Sequence, residues 1–211
     1  MSFHPEVLGI LQKKVLRQLE PVMSQWQYFL GGGTALAIHL GHRHSIDLDW
    51  FSTEPIGDPM RLAQDIRGAR VPLVSGQIER GTLHGRISGV RVRFVEYRYP
   101  LLEPPVIWPR FGCRIASMAD LSSMKLSALT QRGSKKDFMD LYALGLKYRS
   151  FPDMLQLYQK KYSIQDIAHV LYALAFFEDA DRERMPRMLR RPANWKSVKK
   201  TIQGWIKEMT R

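Results

Sequence analysis

The chain has 211 residues, of which 45% are hydrophobic and 25% are charged, a composition that excludes wholesale disorder and predicts a packed core. No apolar stretch approaches the ~18 residues of a membrane-spanning helix, so no membrane partner is expected. The formal net charge is +12, and residues 182–211 hold ten basic and two acidic residues, a net charge of +8. Such a concentration of positive charge indicates a polyanionic partner, although a solvated surface helix explains it as well.

The cysteine content and the first residues indicate the cellular compartment. The single cysteine, Cys113, excludes an intrachain disulfide framework and fits a reducing environment. The first residues lack the basic end and apolar block of a signal peptide. We therefore expect a cytoplasmic protein.

Hydrophobic spacing predicts a mixed N-terminal half. A helix is expected over 5–25, followed by a buried strand at 28–30 that ends in three glycines. The next segments are a short helix at 34–40, a strand at 46–51, a helix at 58–68 and antiparallel strands within 71–99. The proline-rich stretch 100–109 is the expected linker.

The C-terminal half has a helical pattern throughout. Ser117 and Ser134 each open a Ser-x-x-Asp capping box, which predicts helices at 117–132 and 134–148 separated by Gly133. Further helices are predicted at 153–162, 164–179 and 195–209. The expected fold is α+β. Residues 1–110 would form a mixed or antiparallel sheet with flanking helices, and residues 111–211 a helical domain with a basic C-terminal segment.

Two aspartates, Asp47 and Asp49, occupy alternate positions of the second predicted strand. Because side chains on a strand alternate faces, both carboxylates point one way, while Ile46, Leu48 and Trp50 point to the core. Neighbouring carboxylates repel each other, and a divalent cation relieves that repulsion. Mg²⁺ is typically held by one or two carboxylates plus substrate phosphates. The pair predicts a Mg²⁺ or Mn²⁺ site, with an ordinary solvent-facing edge as the alternative.

A glycine-rich turn precedes the aspartates. Gly32, Gly33 and Thr34 lie between a predicted strand and a predicted helix. Glycines let backbone N–H groups approach a phosphate, and a helix N-terminus favours an anion. Thr34 could donate its hydroxyl, Arg43 could pair with a phosphate, and Ser45 could hydrogen-bond it or orient the first aspartate. The unit predicts binding of a phosphate group.

These residues resemble a known family. Residues 32–36 read Gly-Gly-Thr-Ala-Leu, and residues 42–49 read His-Arg-His-Ser-Ile-Asp-Leu-Asp. A later block reads Lys-Leu-Ser-Ala-Leu at 125–129, followed by Arg-Gly and by Lys-Asp-Phe-Met-Asp-Leu at 136–141. In order and spacing, over roughly 31–144, the pattern resembles the nucleotidyltransferase AbiEii/AbiGii family, the toxin half of certain abortive-infection toxin–antitoxin pairs.

The resemblance implies a DNA polymerase β-like nucleotidyltransferase fold. It also implies the Mg²⁺-dependent transfer of a nucleotide from a nucleoside triphosphate (NTP) to an acceptor. RNA is the expected acceptor, and an antitoxin protein is a further expected partner. Asp47 and Asp49 would hold the catalytic metal. Lys125 and Asp137 would fill the family's later catalytic positions.

The positions of Lys125 and Asp137 can also be explained without the family resemblance. Lys125 starts near the core side of its helix, where a lysine either meets an anion or covers apolar surface with its stem. Its truncation should then leave stability nearly unchanged. Asp137 is also explained as the third residue of the Ser134 capping box. Asp140 is expected to pair with Lys136 and to be structural.

One feature of such sites is missing from the pattern. Nucleotidyltransferases of this fold place a third carboxylate, which serves as a base, on a later strand. Arg93 occupies the expected position. Glu96 is off by one in parity unless a bulge intervenes, and Glu79 on the preceding strand is another candidate.

Three alternatives remain open at this stage. The first is a catalytically degenerate protein of the same fold that binds nucleic acid through the basic segment 182–211, where two tryptophans accompany the positive charge. The second is a zinc site at His39, His42 and His44, although no cysteine completes it. The third is a sugar-nucleotide transferase, which the glycine turn and the later Lys-Asp block disfavour.

Overall fold

A computed structural model describes residues 3–189 and 194–209. The N-terminal elements are a 3-10 turn Pro5–Val7, α1 Ile10–Gln25, β1 Phe29–Leu30, α2 Gly32–Leu40, β2 Leu48–Ser52, α3 Pro59–Gly68, β3 Leu73–Glu79, β4 Thr82–Ile87 and β5 Val90–Glu96. They are followed by β6 Val106–Trp108, β7 Cys113–Ile115, α4 Met118–Arg132, α5 Lys135–Lys147, α6 Phe151–Tyr162, α7 Ala168–Ala175, α8 Glu178–Arg182 and α9 Trp195–Met209.

In the described part of the chain, seven strands form one mixed sheet with the order β3-β4-β5-β2-β1-β7-β6. The strands β3, β4 and β5 are antiparallel neighbours, whereas β5 lies parallel to β2 and β1 lies parallel to β7. Helices α1 and α3 pack against this sheet, and α2 contacts β2 as well as α4 and α5. The expected α+β fold is confirmed, and α2 joins the sheet to the helices that follow it.

Local signals place several helix ends correctly. The Asp58 carboxylate caps α3 through the Met60 N–H at 2.8 Å, and the Ser117 hydroxyl caps α4 through the Asp120 N–H at 3.0 Å. Gly133 ends α4 in the left-handed conformation. Ser134 differs from its predicted role, because its hydroxyl donates to the Asp137 carboxylate at 2.6 Å rather than capping the backbone of α5.

Four further sequence predictions of local structure differ from the fold. The predicted linker at 100–109 contains β6, which is too short to show an alternating pattern. The helix predicted at 5–25 begins only at Ile10, because Gly9 donates its N–H to the Gln12 side chain. The helix predicted at 164–179 is split into α7 and α8. Ile46 is 68% exposed rather than in the core, since β2 begins two residues later.

The C-terminal basic segment packs onto the helices, within its described residues. The Trp205 ring lies against Gly145 and stacks on Phe151, with ring centroids 5.8 Å apart. Trp195 packs against Phe138 and Phe177. The two tryptophans are therefore used for packing. Positions 190–193 and 210–211 of the segment lie outside the described residues. Across the described ranges, no helix is both long and apolar enough to cross a membrane.

Candidate active site

The two aspartates lie on the same wall of an open cleft. Asp49 is in β2, and Asp47 lies just before that strand; their side chains are 11% and 32% exposed. Both line a cleft of about 470 Å³, called the central cleft below. Leu48 and Trp50, which alternate with them, are fully buried. The period of two along this strand thus separates the carboxylates from the core, as the sequence predicts.

The N-terminus of α2 lies against Asp49. The Gly31 N–H donates to the Asp49 carbonyl at 2.8 Å, and α2 begins at the next residue without a side-chain cap. Gly32 has a φ of +63°, and a Cβ added there would lie 2.7 Å from Asp49 Oδ2. The predicted glycine turn is therefore the first turn of α2 itself. Its uncapped N–H groups sit beside a carboxylate, at a cleft that Gly33 lines.

We expect the change Gly32→Ala to destabilise the protein by about 1–2 kcal/mol, because an L-residue is strained at this φ and the added methyl meets Asp49. Gly204→Ala in α9 is the matched control. There an added Cβ meets nothing within 4 Å, and alanine should stabilise the helix by roughly 1 kcal/mol. Urea unfolding of both variants measures the difference. Equal stability of Gly32→Ala and the wild-type chain would contradict the close approach.

Thr34 and Ser45 connect the glycine turn to the segment that carries Asp47. The Thr34 hydroxyl donates to the Asp47 carbonyl and contacts Ser45 Oγ at 2.7 Å. Thr34 is 1% exposed, whereas Ser45 lines the central cleft. Thr34 therefore lies behind the cleft wall and fixes the position of Asp47, and Ser45, which it contacts, lines the cleft.

An arginine from β5 pairs with each aspartate. Arg91 Nε donates to Asp47 at 2.8 Å, and Arg93 Nε donates to Asp49 at 2.7 Å. Arg93 is the direct neighbour of Asp49 in the parallel pairing of β2 with β5. The hydrogen bond to Asp49 raises the pKa of Arg93. The strand position expected to hold a third carboxylate is thus occupied by a cation.

Neither alternative carboxylate takes that position in the structure. Glu96 is the neighbour of Ser52 rather than of an aspartate, and its oxygens accept hydrogen bonds from the Ile56 N–H and from Arg98. Glu79 lies on the edge strand β3, where its carboxylate accepts a hydrogen bond from the Gln77 side chain at 2.6 Å.

A buried ion network lies beneath the cleft. Lys125 Nζ lies 3.0 Å from Asp137 Oδ1 and 2.6 Å from Asp140 Oδ2, and all three side chains are nearly fully buried. Arg43 donates to both oxygens of Asp140, from Nε at 2.6 Å and from Nη2 at 2.8 Å. Asp140 thus binds Arg43 and Lys125 from distant parts of the chain, rather than Lys136 one turn earlier as predicted.

The network extends to the helix junction between α4 and α5. Arg132 donates to both oxygens of Asp137, from Nε at 2.7 Å and from Nη2 at 2.9 Å. Burial by itself would raise the pKa of Asp137, but the hydrogen bond from Arg132 and the charge of Lys125 lower it to about 2. Burial would also raise the pKa of Asp140, but the charges of Arg43 and Lys125 hold the pKa of its carboxyl well below the usual range.

The charges of this network do not cancel. His42 Nε2 donates to Asp140 at 2.6 Å, and burial lowers the pKa of His42 so that the ring is neutral near pH 7. The remaining three cations, which are Lys125, Arg43 and Arg132, face the two carboxylates of Asp137 and Asp140. One net positive charge is left beside a cleft that Lys125 lines together with Asp49. Such a site favours an anion.

Arg43 has little freedom to move. Besides its bonds to Asp140, its Nη1 donates to the His44 carbonyl at 3.0 Å, and a Cβ added to Gly33 would overlap Nη2. Its guanidinium still lines the central cleft. Arg43 therefore supplies charge at a fixed place and holds Asp140, rather than reaching out as a flexible side chain.

The three histidines of the predicted zinc alternative have separate partners. His39 Nε2 donates to the Ala116 carbonyl at 3.0 Å, and His44 Nδ1 donates to the Val7 carbonyl at 3.2 Å. His42 bonds Asp140 as described. Within residues 3–189 and 194–209, no group of three His, Cys, Asp or Glu side chains is arranged to hold a metal ion.

The structure adds cleft residues that the sequence did not single out. The backbone of 187–189 returns to pair with 42–44, through the His44 N–H to the Arg187 carbonyl at 2.8 Å and the Leu189 N–H to the His42 carbonyl at 3.1 Å. Arg187 and Pro186 consequently line the central cleft. No local sequence pattern could have predicted this contact, because some 140 residues lie between the two segments that form it.

Two further clefts adjoin the central one. An aromatic cleft of about 460 Å³ shares Asp49 and Lys125 with it and is walled by Phe51, Tyr97, Tyr99, Met124 and Tyr162. A basic cleft of about 540 Å³ shares Asp47 with it and lies over β3, β4 and β5. Each aspartate therefore stands at the border between two clefts.

Comparison with known proteins gives concordant results. Residues 14–204 match the sequence model of the nucleotidyl transferase AbiEii toxin family, described as a type IV toxin–antitoxin system. An uncharacterized protein of Aquifex aeolicus strain VF5 is 36% identical over 204 residues, covering 94% of this chain and 97% of that protein.

Solved structures agree at the level of the fold. A proposed nucleotidyltransferase from Helicobacter pylori superposes with a TM-score of 0.61 at 16% identity, covering 96% of each chain. The nucleotidyltransferase toxin MenT4 from Mycobacterium tuberculosis gives 0.56 at 16% identity, covering 94% of this chain and 82% of that one. At such identity, the two structures show a common fold.

Proposed function

Since this chain belongs to the AbiEii nucleotidyltransferase toxin family, we propose that its nucleotidyltransferase activity transfers a nucleotide from an NTP to RNA in a Mg²⁺-dependent reaction. The observation that carries the proposal is the placement of Asp47 and Asp49 in one cleft with the uncapped N-terminus of α2 and with Lys125. The family description also motivates an antitoxin protein as a partner.

The donor set fits one divalent cation. Two carboxylates on one wall, open to a ligand, match the way Mg²⁺ binds one or two carboxylates together with substrate phosphates. Arg93 stands where a third carboxylate would complete a larger site. Asp47 and Asp49 would therefore hold Mg²⁺ or Mn²⁺ once Arg91 and Arg93 release them. When bound, the metal would supply neutralisation of charge on the phosphates.

The surrounding residues suit a triphosphate. The N–H groups of Gly32, Gly33 and Thr34 begin α2 without a cap, and a helix N-terminus favours phosphate. The network around Lys125 adds a net positive charge on the same cleft, and Ser45 adds a hydroxyl. Low exposure strengthens each of these interactions, because water does not screen them fully.

In the chemical step, the protein contributes mainly by positioning the acceptor hydroxyl and the triphosphate, and less by supplying reactive side chains. The acceptor hydroxyl oxygen bonds to the α-phosphorus, while the bond from that phosphorus to the bridging oxygen breaks and pyrophosphate leaves. The hydroxyl proton passes to solvent water, since no third carboxylate joins the aspartates among the described residues. Fixed charges that match the transition state then account for the rate.

The two predicted domains would contribute separate parts of this site. Residues 1–110 supply the aspartates and the start of α2, and residues 111–211 supply Lys125 and Asp137. The triphosphate would lie where the two meet. The aromatic cleft beside Asp49 would receive the nucleobase, because aromatic side chains such as Tyr99 and Phe51 offer surfaces on which a base stacks.

A specific observation favours one other function. Arginines neutralise both aspartates, and the third carboxylate is absent from its expected position. A degenerate protein of the same fold that binds nucleic acid without turnover would have these features.

One experiment separates the two functions. The purified chain is incubated with each α-labelled NTP, total cellular RNA and Mg²⁺, with and without EDTA, and the RNA is resolved by electrophoresis. We expect Mg²⁺-dependent labelling of RNA, strongest with one NTP, and none with Asp49→Asn. Nucleotide binding without any labelled RNA would support the degenerate protein instead.

A further inference from the structure

The basic cleft over β3, β4 and β5 carries more positive charge than the neighbouring carboxylates neutralise. We propose that this cleft, and not α9, binds the phosphate backbone of the acceptor strand, single-stranded RNA. The inference rests on the proposed function, because it assigns a surface to the acceptor of that reaction.

Strand register places like charges opposite one another. In the antiparallel pair of β4 with β5, Arg86 faces Arg91. Like charges directly opposite on a sheet are destabilising. Arg91 and Arg93 pair with the two aspartates, but within residues 3–189 and 194–209 Arg86 hydrogen-bonds only the Gly89 carbonyl, at 3.1 Å. A polyanion lying across this face would relieve the repulsion.

The lining of the cleft matches such a ligand. Its cationic side chains are Arg86, Arg91, Arg93, Arg132 and Lys136. Asp47, Asp49 and Asp137 pair with Arg91, Arg93 and Arg132, so the charges of Arg86 and Lys136 are in excess. Burial, together with the neighbouring charge of Arg132, lowers the pKa of Lys136, as expected where cations are crowded. Each phosphate bound here would release counterions.

The floor of the cleft is open to a backbone. Gly76 lines the cleft without a side chain, whereas a Cβ at Gly85 would point to the core, 2.7 Å from Leu73 Cδ1, and so away from the cleft. The cleft also runs directly into the central cleft, since both are lined by Asp47, Arg91 and Arg93. A strand held over β4 would therefore present its end at the aspartates.

The lysines of α9 lie in a different environment. Lys196, Lys199 and Lys200 line a separate cleft together with Glu178 and Asp181. Lys199 bonds both oxygens of Asp181, at 2.9 and 3.0 Å. That cleft shares no lining residue with the central one. The charge of α9 is thus partly neutralised and is not continuous with the candidate active site.

The test uses charge reversal at one exposed residue of each surface. Arg86→Glu changes the basic cleft, Arg86→Lys keeps its charge, and Lys200→Glu makes the same reversal on α9. Binding of a fluorescein-labelled single-stranded RNA of about 12 nucleotides is measured by anisotropy in the full-length chain, over a range of salt concentrations. For each variant, calorimetry measures Mn²⁺–ATP binding and circular dichroism checks that the chain is folded.

We expect Arg86→Glu to weaken RNA binding about tenfold and to reduce the slope of log K against log salt by about one unit. Arg86→Lys and Lys200→Glu should each stay within about twofold of the wild-type affinity, and ATP binding should not change. Wild-type RNA affinity in Arg86→Glu, or an equal loss in Lys200→Glu, would overturn the assignment.

Two further outcomes are informative. If a poly-glutamate peptide of the same length displaced the RNA at equal concentration, the cleft would be assigned to an acidic protein partner, which also overturns the proposal. Loss of ATP binding in the Asp49→Asn variant of the labelling experiment would concern the proposed function alone. The Arg86 result is read independently of it, because RNA binding is measured without NTP.

Discussion

The double change Asp47→Asn with Asp49→Asn is expected to abolish metal-dependent nucleotide binding and to lower the transfer rate by at least about 10³-fold. The rate estimate follows from losing several kcal/mol of charge stabilisation at 1.36 kcal/mol per factor of ten. Both variant side chains keep the size of the originals, so the close contact between Asp49 and α2 is preserved. Calorimetry with Mn²⁺–ATP and the labelling assay measure the two effects.

Folding should survive this change. The aspartates pair with Arg91 and Arg93, whose side chains are 56% and 45% exposed, and pairs at such exposure contribute at most about 1 kcal/mol. Asp65→Asn in α3, an exposed carboxylate outside the cleft, is the matched control and should leave binding intact. Undiminished Mn²⁺–ATP affinity in the double variant would remove the aspartates from the proposed site.

The second expected result concerns Lys125→Met, which should affect both rate and stability. Removing a charge next to the phosphates should lower the transfer rate by about 10²–10³, as for comparable electrostatic donors. Stability should fall by about 3–5 kcal/mol, because Asp137 and Asp140 are left buried with one cation fewer. Burial of the ammonium thus reverses the sequence-based expectation of nearly unchanged stability.

The chain offers a matched control for this variant. Lys161 Nζ bonds Asp120 at 2.5 Å and the Pro100 carbonyl at 2.8 Å, and both side chains are fully buried. Neither Lys161 nor Asp120 lines any of the three clefts. Lys161→Met should therefore lose comparable stability in urea unfolding but keep the wild-type rate below its unfolding transition. Equal rate losses in the two variants would mean that Lys125 acts only through folding.

The local sequence pattern was sufficient to predict the structure of several segments of this protein. The bounds of α9, 195–209, agree with the sequence prediction, because an amphipathic face repeats at helical spacing. The capping serine at Ser117 and the glycine at Gly133 mark both ends of α4. The period of two on β2 put Asp47 and Asp49 on one face. In each case, neighbouring residues alone specify the backbone conformation.

The local sequence pattern did not predict structure that depends on contacts between residues far apart in the chain. The short strand β7 exists because it pairs with β1, and β6 exists because it pairs with β7, not because their residues alternate. Trp195 and Trp205 accompany the positive charge of the C-terminal basic segment, but they pack against aromatic residues of the neighbouring helices. Burial of a side chain is decided by what packs over it, and single-sequence periodicity does not report that.

The sequence by itself determined the α+β pattern, the glycine turn and the paired aspartates, since these depend on conformational preferences and spacing within about 20 residues. Only the tertiary structure decided which charges meet. It put Arg93 beside Asp49 through the parallel pairing of β2 with β5, and it placed Arg43 and Lys125 around Asp140. Ion pairs of this kind form where burial removes water from groups far apart in the chain, so their partners follow from the packing and not from the order of residues.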